Sequence, residues 1–156
     1  MKLFEASSAS KLVLQALLVR GGAFRAQYEF WGEGLKDRIF IVANQNPSGD
    51  GTIILFSATT QIAKRRLHHG DRADLVLVPL DPATYDGVTH PCILDCEFPV
   101  KRKLADFVRH VEDRKYSPLT TAPDSIMDRI VAAVRASRRL SAAEKRLVIG
   151  DQSNDC

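Results

Sequence analysis

Charged and hydroxyl side chains stand at the ends of apolar runs throughout the first hundred residues. Arg38 opens the run 38–44 directly after a glycine-containing turn; Ala58, Thr59, Thr60 and Gln61 follow the run 52–57; Asp95, Lys101 and Arg102 lie at or beyond the end of 92–97. A guanidinium makes bidentate contacts to phosphoryl oxygens, a hydroxyl can fix the orientation of the same group, and a carboxylate can accept a proton. Taken singly each is ordinary, since an Arg that begins a strand is usually a solvated edge and a Thr-Thr-Gln is usually a turn. They become a site only if the fold brings them to one rim.

Other chemistries find less support. His68, His69, His90, Cys92 and Cys96 invite a zinc reading. If residues 92–96 are a strand, however, Cys92 and Cys96 lie about 13 Å apart on one face, too far for one tetrahedral ion or a disulfide. Cys92, Leu94, Cys96 and Phe98 read as an inward row, with Ile93, Asp95 and Glu97 outward. The sequence carries no Gly-rich phosphate loop, Gly-x-Ser-x-Gly elbow or His-Glu-x-x-His helix. A Ser/His/Asp set can be assembled on paper from almost any chain of this length and carries no weight.

The elements that must position these groups follow from hydrophobic period. Residues 1–22 predict a short helix, with Ser8 or Ser10 as its cap, Leu12–Val19 as its apolar run and Gly21 and Gly22 as its end; a buried strand is the alternative. Phe24, Ala26, Tyr28 and Phe30 alternate with Arg25, Gln27 and Glu29, which predicts a half-buried strand. Residues 38–44 and 52–57, joined by turn-rich 46–51, predict two more strands of an antiparallel meander. Residues 58–72 read as polar and irregular. Residues 75–80, apolar on both faces, predict a central fourth strand ending near Pro79, and 92–97 a fifth. After Pro99 the period is helical: Leu104, Phe107, Val108 and Val111 share one face. Pro118 and Pro123 bracket a loop, and Pro123 opens a helix striped by Ile126, Met127, Ile130, Val131 and Val134. Ser141 and Glu144 form a capping box for a last helix that Gly150 closes.

These elements predict an α+β fold: a small, mostly antiparallel SH3-like β-barrel over about 23–100, an N-terminal helix, and C-terminal helices over about 101–149. Residues 1–150 would form a single domain and 151–156 a flexible tail. With 45% hydrophobic and 26% charged residues among 156, the chain can bury a core without disulfides. Three cysteines fit a reducing cytoplasm. No segment approaches the roughly 20 apolar residues that span a bilayer, so no membrane partner is expected, and 12–19 lacks a signal-peptide cleavage pattern. Charge is uneven. Residues 1–100 carry 10 Lys/Arg against 11 Asp/Glu, whereas 101–146 carry 12 against 6. A basic C-terminal third suits a phosphate-bearing partner and equally a solvated helical face, Arg129, Arg135, Arg138 and Arg139 included.

In order and spacing these segments resemble the PemK/MazF-like toxins of toxin–antitoxin systems, ribonucleases with a small SH3-like barrel. The family places an Arg before one apolar strand, a Thr or Ser motif after the next, and a Leu-Asp-Gln-like motif followed by Lys and Arg. Here stand Arg38; then Ala58, Thr59, Thr60 and Gln61; then Cys92, Ile93, Leu94, Asp95 and Cys96; then Lys101, Arg102, Lys103 and Leu104. The resemblance covers roughly residues 24–108. Ile39 stands where Pro is common, Cys92 replaces the usual Ser and Cys96 the usual Gln, and the Arg-Gly-acid opening survives only loosely in 24–31.

The resemblance implies a metal-independent endoribonuclease toxin with no cofactor, acting on single-stranded RNA through the RNA's own 2′-hydroxyl. Arg38, Thr59, Thr60 and Asp95 would be catalytic. The proton acceptor is open among Asp37, Asp95 and His90, because Arg is a poor base. Arg25, Lys64, Arg65, Arg66, Lys101 and Arg102 would line the RNA path, and Tyr28 or Trp31 would stack a base. Implied partners are a cognate antitoxin protein and a second copy in a cytoplasmic homodimer. The departures from the family motifs keep a second reading in play, a non-catalytic SH3-like module binding protein or nucleic acid.

Overall fold

A computed structural model describes residues 8–30, 32 and 34–150; Trp31 and the 151–156 tail lie outside them. Helix α1 (Ser8–Leu17) leads into the hairpin β1 (Ala23–Phe30) and β2 (Gly34–Val42), then β3 (Thr52–Thr59). Next come α2 (Ile62–His69), a 3-10 turn, the short α3 (Ala73–Val76), β4 (Leu77–Leu80), β5 (Cys92–Asp95) and β6 (Val100–Lys103). Helix α4 (Leu104–Glu112), β7 (Ser117–Leu119), α5 (Asp124–Ala136) and α6 (Ala142–Ile149) complete the order. The α+β class holds, with helices at both ends of a mostly antiparallel sheet.

The sheet runs β4-β5-β3-β2-β1-β7, with β6 also on β3. Among the described residues no ladder joins β4 to β7, so the sheet has seven strands and stays open, where the sequence predicts five strands of a small SH3-like barrel. Paired residues share a face in antiparallel strands. The pairs Phe24↔Phe40, Phe40↔Ser57, Val42↔Leu55 and Leu55↔Val100 therefore define one face, covered by Leu17 of α1 and Phe107 and Val111 of α4. Ile41, Ile54, Phe56, Val78 and Leu94 define the other, covered by Ile126, Met127, Ile130 and Val134 of α5 and Val148 of α6. Helix α3 adds Ala73 and Val76 over Leu77 and Ile93, at the β4–β5 end of the first face.

Several expectations need correction. Residues 62–72 are helical rather than irregular, because 62–69 contains no helix breaker before Gly70. The run predicted as one central strand divides into α3 and β4, and among the described residues β4 pairs only β5, which makes it an edge that tolerates the exposed Pro79. Residues 100–103 and 117–119 form strands where helix and loop were expected; both are short and gain their stability from pairing. Ile93, Asp95 and Glu97 do not point to solvent: both faces of β5 are buried. The helix starting after Pro123, its buried stripe and the capping box at Ser141 are as the sequence predicts, except that Val131 is only half-buried. Gly21 and Gly22 end the α1 segment as read. A Cβ at Gly22 would sit 2.0 Å from the Leu17 carbonyl oxygen, and Gly21 has φ 84°.

Candidate active site

The first face is covered at one end by α1 and α4 and at the other by α2 and α3, and the strip between the covers carries polar side chains. Its position follows from the ladders. Strand β3 pairs with β2 only as far as Phe40↔Ser57, then pairs with β5 at Ala58↔Leu94 and Thr59↔Ile93. Beyond that branch β2 and β3 part. Arg38, two residues before Phe40, reaches into the opening and its Nη1 donates to the Ala58 carbonyl at 3.2 Å. Ser57 and Thr59 on β3, and Asp95 on β5, share the face of Phe40.

A cavity of about 840 Å³ opens here, lined by Arg38, Ser57, Thr59, Arg65, Asp95 and Phe98, with Tyr28 at its β1 side. A smaller one of about 320 Å³ lies around Arg25, Asp37, Ala58, Thr60, Gln61 and His90 and also includes Arg38 and Thr59. Those two residues therefore flank a slot reachable from both cavities.

Asp95 is the most constrained group. Its carboxylate is almost fully buried; Oδ1 accepts from the Glu97 backbone N–H at 3.1 Å, and Oδ2 lies 2.8 Å from His69 Nε2 and 3.6 Å from Arg65 Nη1. Arg65 and His69 are one turn apart on α2, so they face the same carboxylate. Arg65 also lies over the Phe98 ring, 5.6 Å from its centre. Its Nε is buried and finds no acceptor among the described residues, an orphan donor of a kind rare in folded proteins. The Thr59 hydroxyl accepts from the Gln61 N–H at 3.2 Å.

The sequence-derived residues divide among three cavities, with Lys64 and Lys101 lining none of them. Arg38, Thr59, Arg65 and Asp95 line the larger cavity. Thr60 and Arg25 line the smaller one with two of the open proton acceptors, Asp37 and His90; Asp37 pairs with Arg25 at 3.2 Å. Arg102 lies 4.9 Å over the Tyr28 ring beside a third cavity. Lys64 is exposed on α2. Lys101 pairs with Glu144 at 2.7 Å. Sequence reasoning counted Ser57 only among the residues that close the third strand, with no role of its own, and gave His69 only a metal reading. A helix assigned to 62–69 would have placed Arg65 and His69 together.

Two other chemistries weaken. Burial pushes the Cys92 thiol up, and burial with the Asp95 and Glu97 carboxylates pushes Cys96 well up, so both are protonated at neutral pH and poor nucleophiles. Among the described residues, no group of three or more His, Cys, Asp and Glu side chains converges as a metal-ligand set. No helix among them is long and apolar enough to cross a membrane.

No protein-family model and no curated protein matches the sequence. Among solved structures the chain is similar to a MazE–MazF complex from Deinococcus radiodurans in two crystal forms. Form III shows 13% identity and TM-score 0.46, over 73% of this chain and 89% of that one; form II shows 13% and 0.46, over 73% and 88%. At that identity and TM-score the likeness assigns no catalytic residue, and the site stands on its own geometry.

Proposed function

We propose that the larger cavity binds a phosphodiester of single-stranded RNA and cleaves it by transfer to the RNA's own 2′-hydroxyl. The observation that carries this reading is the gathering of Arg38, Thr59 and Asp95, from three strands, on one cavity lining. The O2′–P bond forms as the P–O5′ bond breaks. The 2′-hydroxyl proton passes to the Asp95 carboxylate, and the departing 5′-oxygen takes a proton from water. The products are a 2′,3′-cyclic phosphate and a 5′-hydroxyl. Arg38 stabilises the charge that develops on the phosphoryl oxygens, and the Thr59 hydroxyl orients the same phosphate. RNA supplies the nucleophile, so this route calls for no metal or cofactor. Single strands suit it because their sugars and bases are free to distort. The sequence resemblance to PemK/MazF-like toxins supports the same reading and adds a cognate antitoxin and a homodimer as proposed partners.

A binding module without turnover competes, favoured by one observation: both oxygens of Asp95 are already engaged. Incubation with long single-stranded RNA in excess EDTA, beside a folded Arg38→Ala variant, separates the two. Cleavage by the wild type and a loss of about 10²–10³-fold in the variant supports the ribonuclease. Binding without cleavage, across several RNA sequences, replaces it with the module.

A further inference from the structure

We propose that the loop between α5 and α6 supplies a second phosphate-binding subsite beside the cavity, centred on Arg139 and Phe98 and serving RNA nucleotides that flank the cleaved bond. This deepens the ribonuclease reading and rests on it for the identity of the polymer. Phe98 is part of the cavity lining. The Arg139 guanidinium lies 4.4 Å from its ring centre and the Arg65 guanidinium 5.6 Å. The His68 and His69 rings are 5.8 and 6.1 Å from it. One aromatic ring thus gathers two cations, each attracted to its π-electrons, at the border of a cavity that already holds Arg38.

The loop that carries Arg139 is tied down. The Arg138 N–H donates to Glu97 Oε1 at 2.9 Å, and the buried Glu97 side chain sits next to Phe98 in the chain. The Ser137 hydroxyl accepts from the N–H groups of Arg139 and Leu140, both at 3.2 Å. Arg72 donates to the Ala136 carbonyl and lies 3.9 Å from Glu97. Arg139 itself is exposed, and no carboxylate pairs with it among the described residues. Backbone anchoring with an unneutralised guanidinium is how a protein prepares a contact to an anion without ordering it at the moment of binding. A nucleic-acid backbone presents anions at regular spacing, so a second phosphate position beside the first suits a polymer better than a single small anion.

The test is fluorescence anisotropy with a fully 2′-O-methylated octanucleotide and a dinucleotide of the same chemistry, which bind without being cleaved. Arg139→Ala is expected to weaken the octamer about 5–20-fold and to leave the dinucleotide within twofold. The slope of log affinity against log salt for the octamer should fall by roughly 0.7, the value for one phosphate on a single strand. Phe98→Leu, which removes the ring under both guanidinium groups, should move the octamer the same way. Equal loss on both lengths, or none on either, overturns the subsite. Unchanged octamer affinity with weakened binding of a polyglutamate peptide overturns it too and gives the surface to a protein partner. Failure of the wild type to cleave unmodified RNA would sink the ribonuclease reading, while the two lengths still judge the subsite.

Discussion

His69 Nε2 and Asp95 Oδ2 lie 2.8 Å apart, with side-chain exposures of 8% and 7%. The histidine is absent from the cavity lining and the carboxylate is part of it, so the pair is arranged with the acid outward and the imidazole behind. A buried carboxylate is costly unless hydrogen bonds and an opposite charge hold it; here His69 and the Glu97 N–H supply the hydrogen bonds and Arg65 the charge at 3.6 Å. His69→Leu should cost about 1–3 kcal/mol in chemical denaturation, since one partner of a buried hydrogen bond is left behind. His69→Gln, which can return an N–H to nearly the same place, should recover part of the loss and of any RNA cleavage. Equal stability of all three proteins would show that the contact does not hold Asp95.

The larger cavity offers Asp95 as proton acceptor and the smaller one offers His90, which is exposed and hydrogen-bonded to its neighbour Thr89 at 2.9 Å. A general base contributes about 10²–10⁴-fold. Asp95→Asn should therefore lower the cleavage rate by that factor, and His90→Ala should leave it within threefold, with RNA affinity measured alongside. The opposite pattern would move the chemistry to the slot's other side.

Much of this architecture was legible because it rests on strong local patterns. Phe24, Ala26 and Tyr28 alternate, Leu104, Phe107, Val108 and Val111 keep a helical period, and Ser141 with Glu144 carries its own hydrogen-bond logic. What escaped depends on tertiary pairing. The short strands β6 and β7 exist because β3 and β1 offer them edges. Asp95 read as solvent-facing because a period-2 pattern cannot reveal that α2 lies over the face of β5 that carries it. That helix carries the residues that hold Asp95, so its loss from the sequence reading hid His69's part in the site. Arg139 stood only as one of four basic residues suited to a phosphate-bearing partner or to a solvated helical face, since only the fold brings residue 98 under it.

Asn44 sits fully buried where β2 leaves the sheet. Its amide donates to the Thr52 carbonyl at 2.8 Å and to Asp50 Oδ2 at 3.0 Å, and its Oδ1 accepts from the Ile54 N–H at 2.6 Å. It does for the turn what a ladder does for the strands. Asn44→Ala should destabilise the protein by about 2–4 kcal/mol, because two backbone groups lose their partners away from water. Asn44→Asp keeps the acceptor and sets a carboxylate against Asp50, so it should be destabilised as well. A loss under about 0.5 kcal/mol for Asn44→Ala, read from urea midpoints, would mean that water takes over the contacts.

Glu144 joins the C-terminal helices to the sheet. It accepts from Lys101 at 2.7 Å and from the Ser141 N–H at 2.8 Å. Hydrogen bonding by Lys101, then by the Ser141 backbone, holds its carboxyl below the ordinary value. A carboxyl whose folded pKa is depressed adds stability that is complete above its unfolded pKa and is lost as pH falls through the folded one. Glu144→Gln can keep the capping geometry and loses the charge pair, so at pH 7 it should cost only about 0.5 kcal/mol, as surface pairs do. Thermal melts of the two proteins should converge as pH drops below the carboxylate range. A gap that persists at pH 3 would assign the difference to packing of the α6 N-terminus, and not to the charge on Lys101.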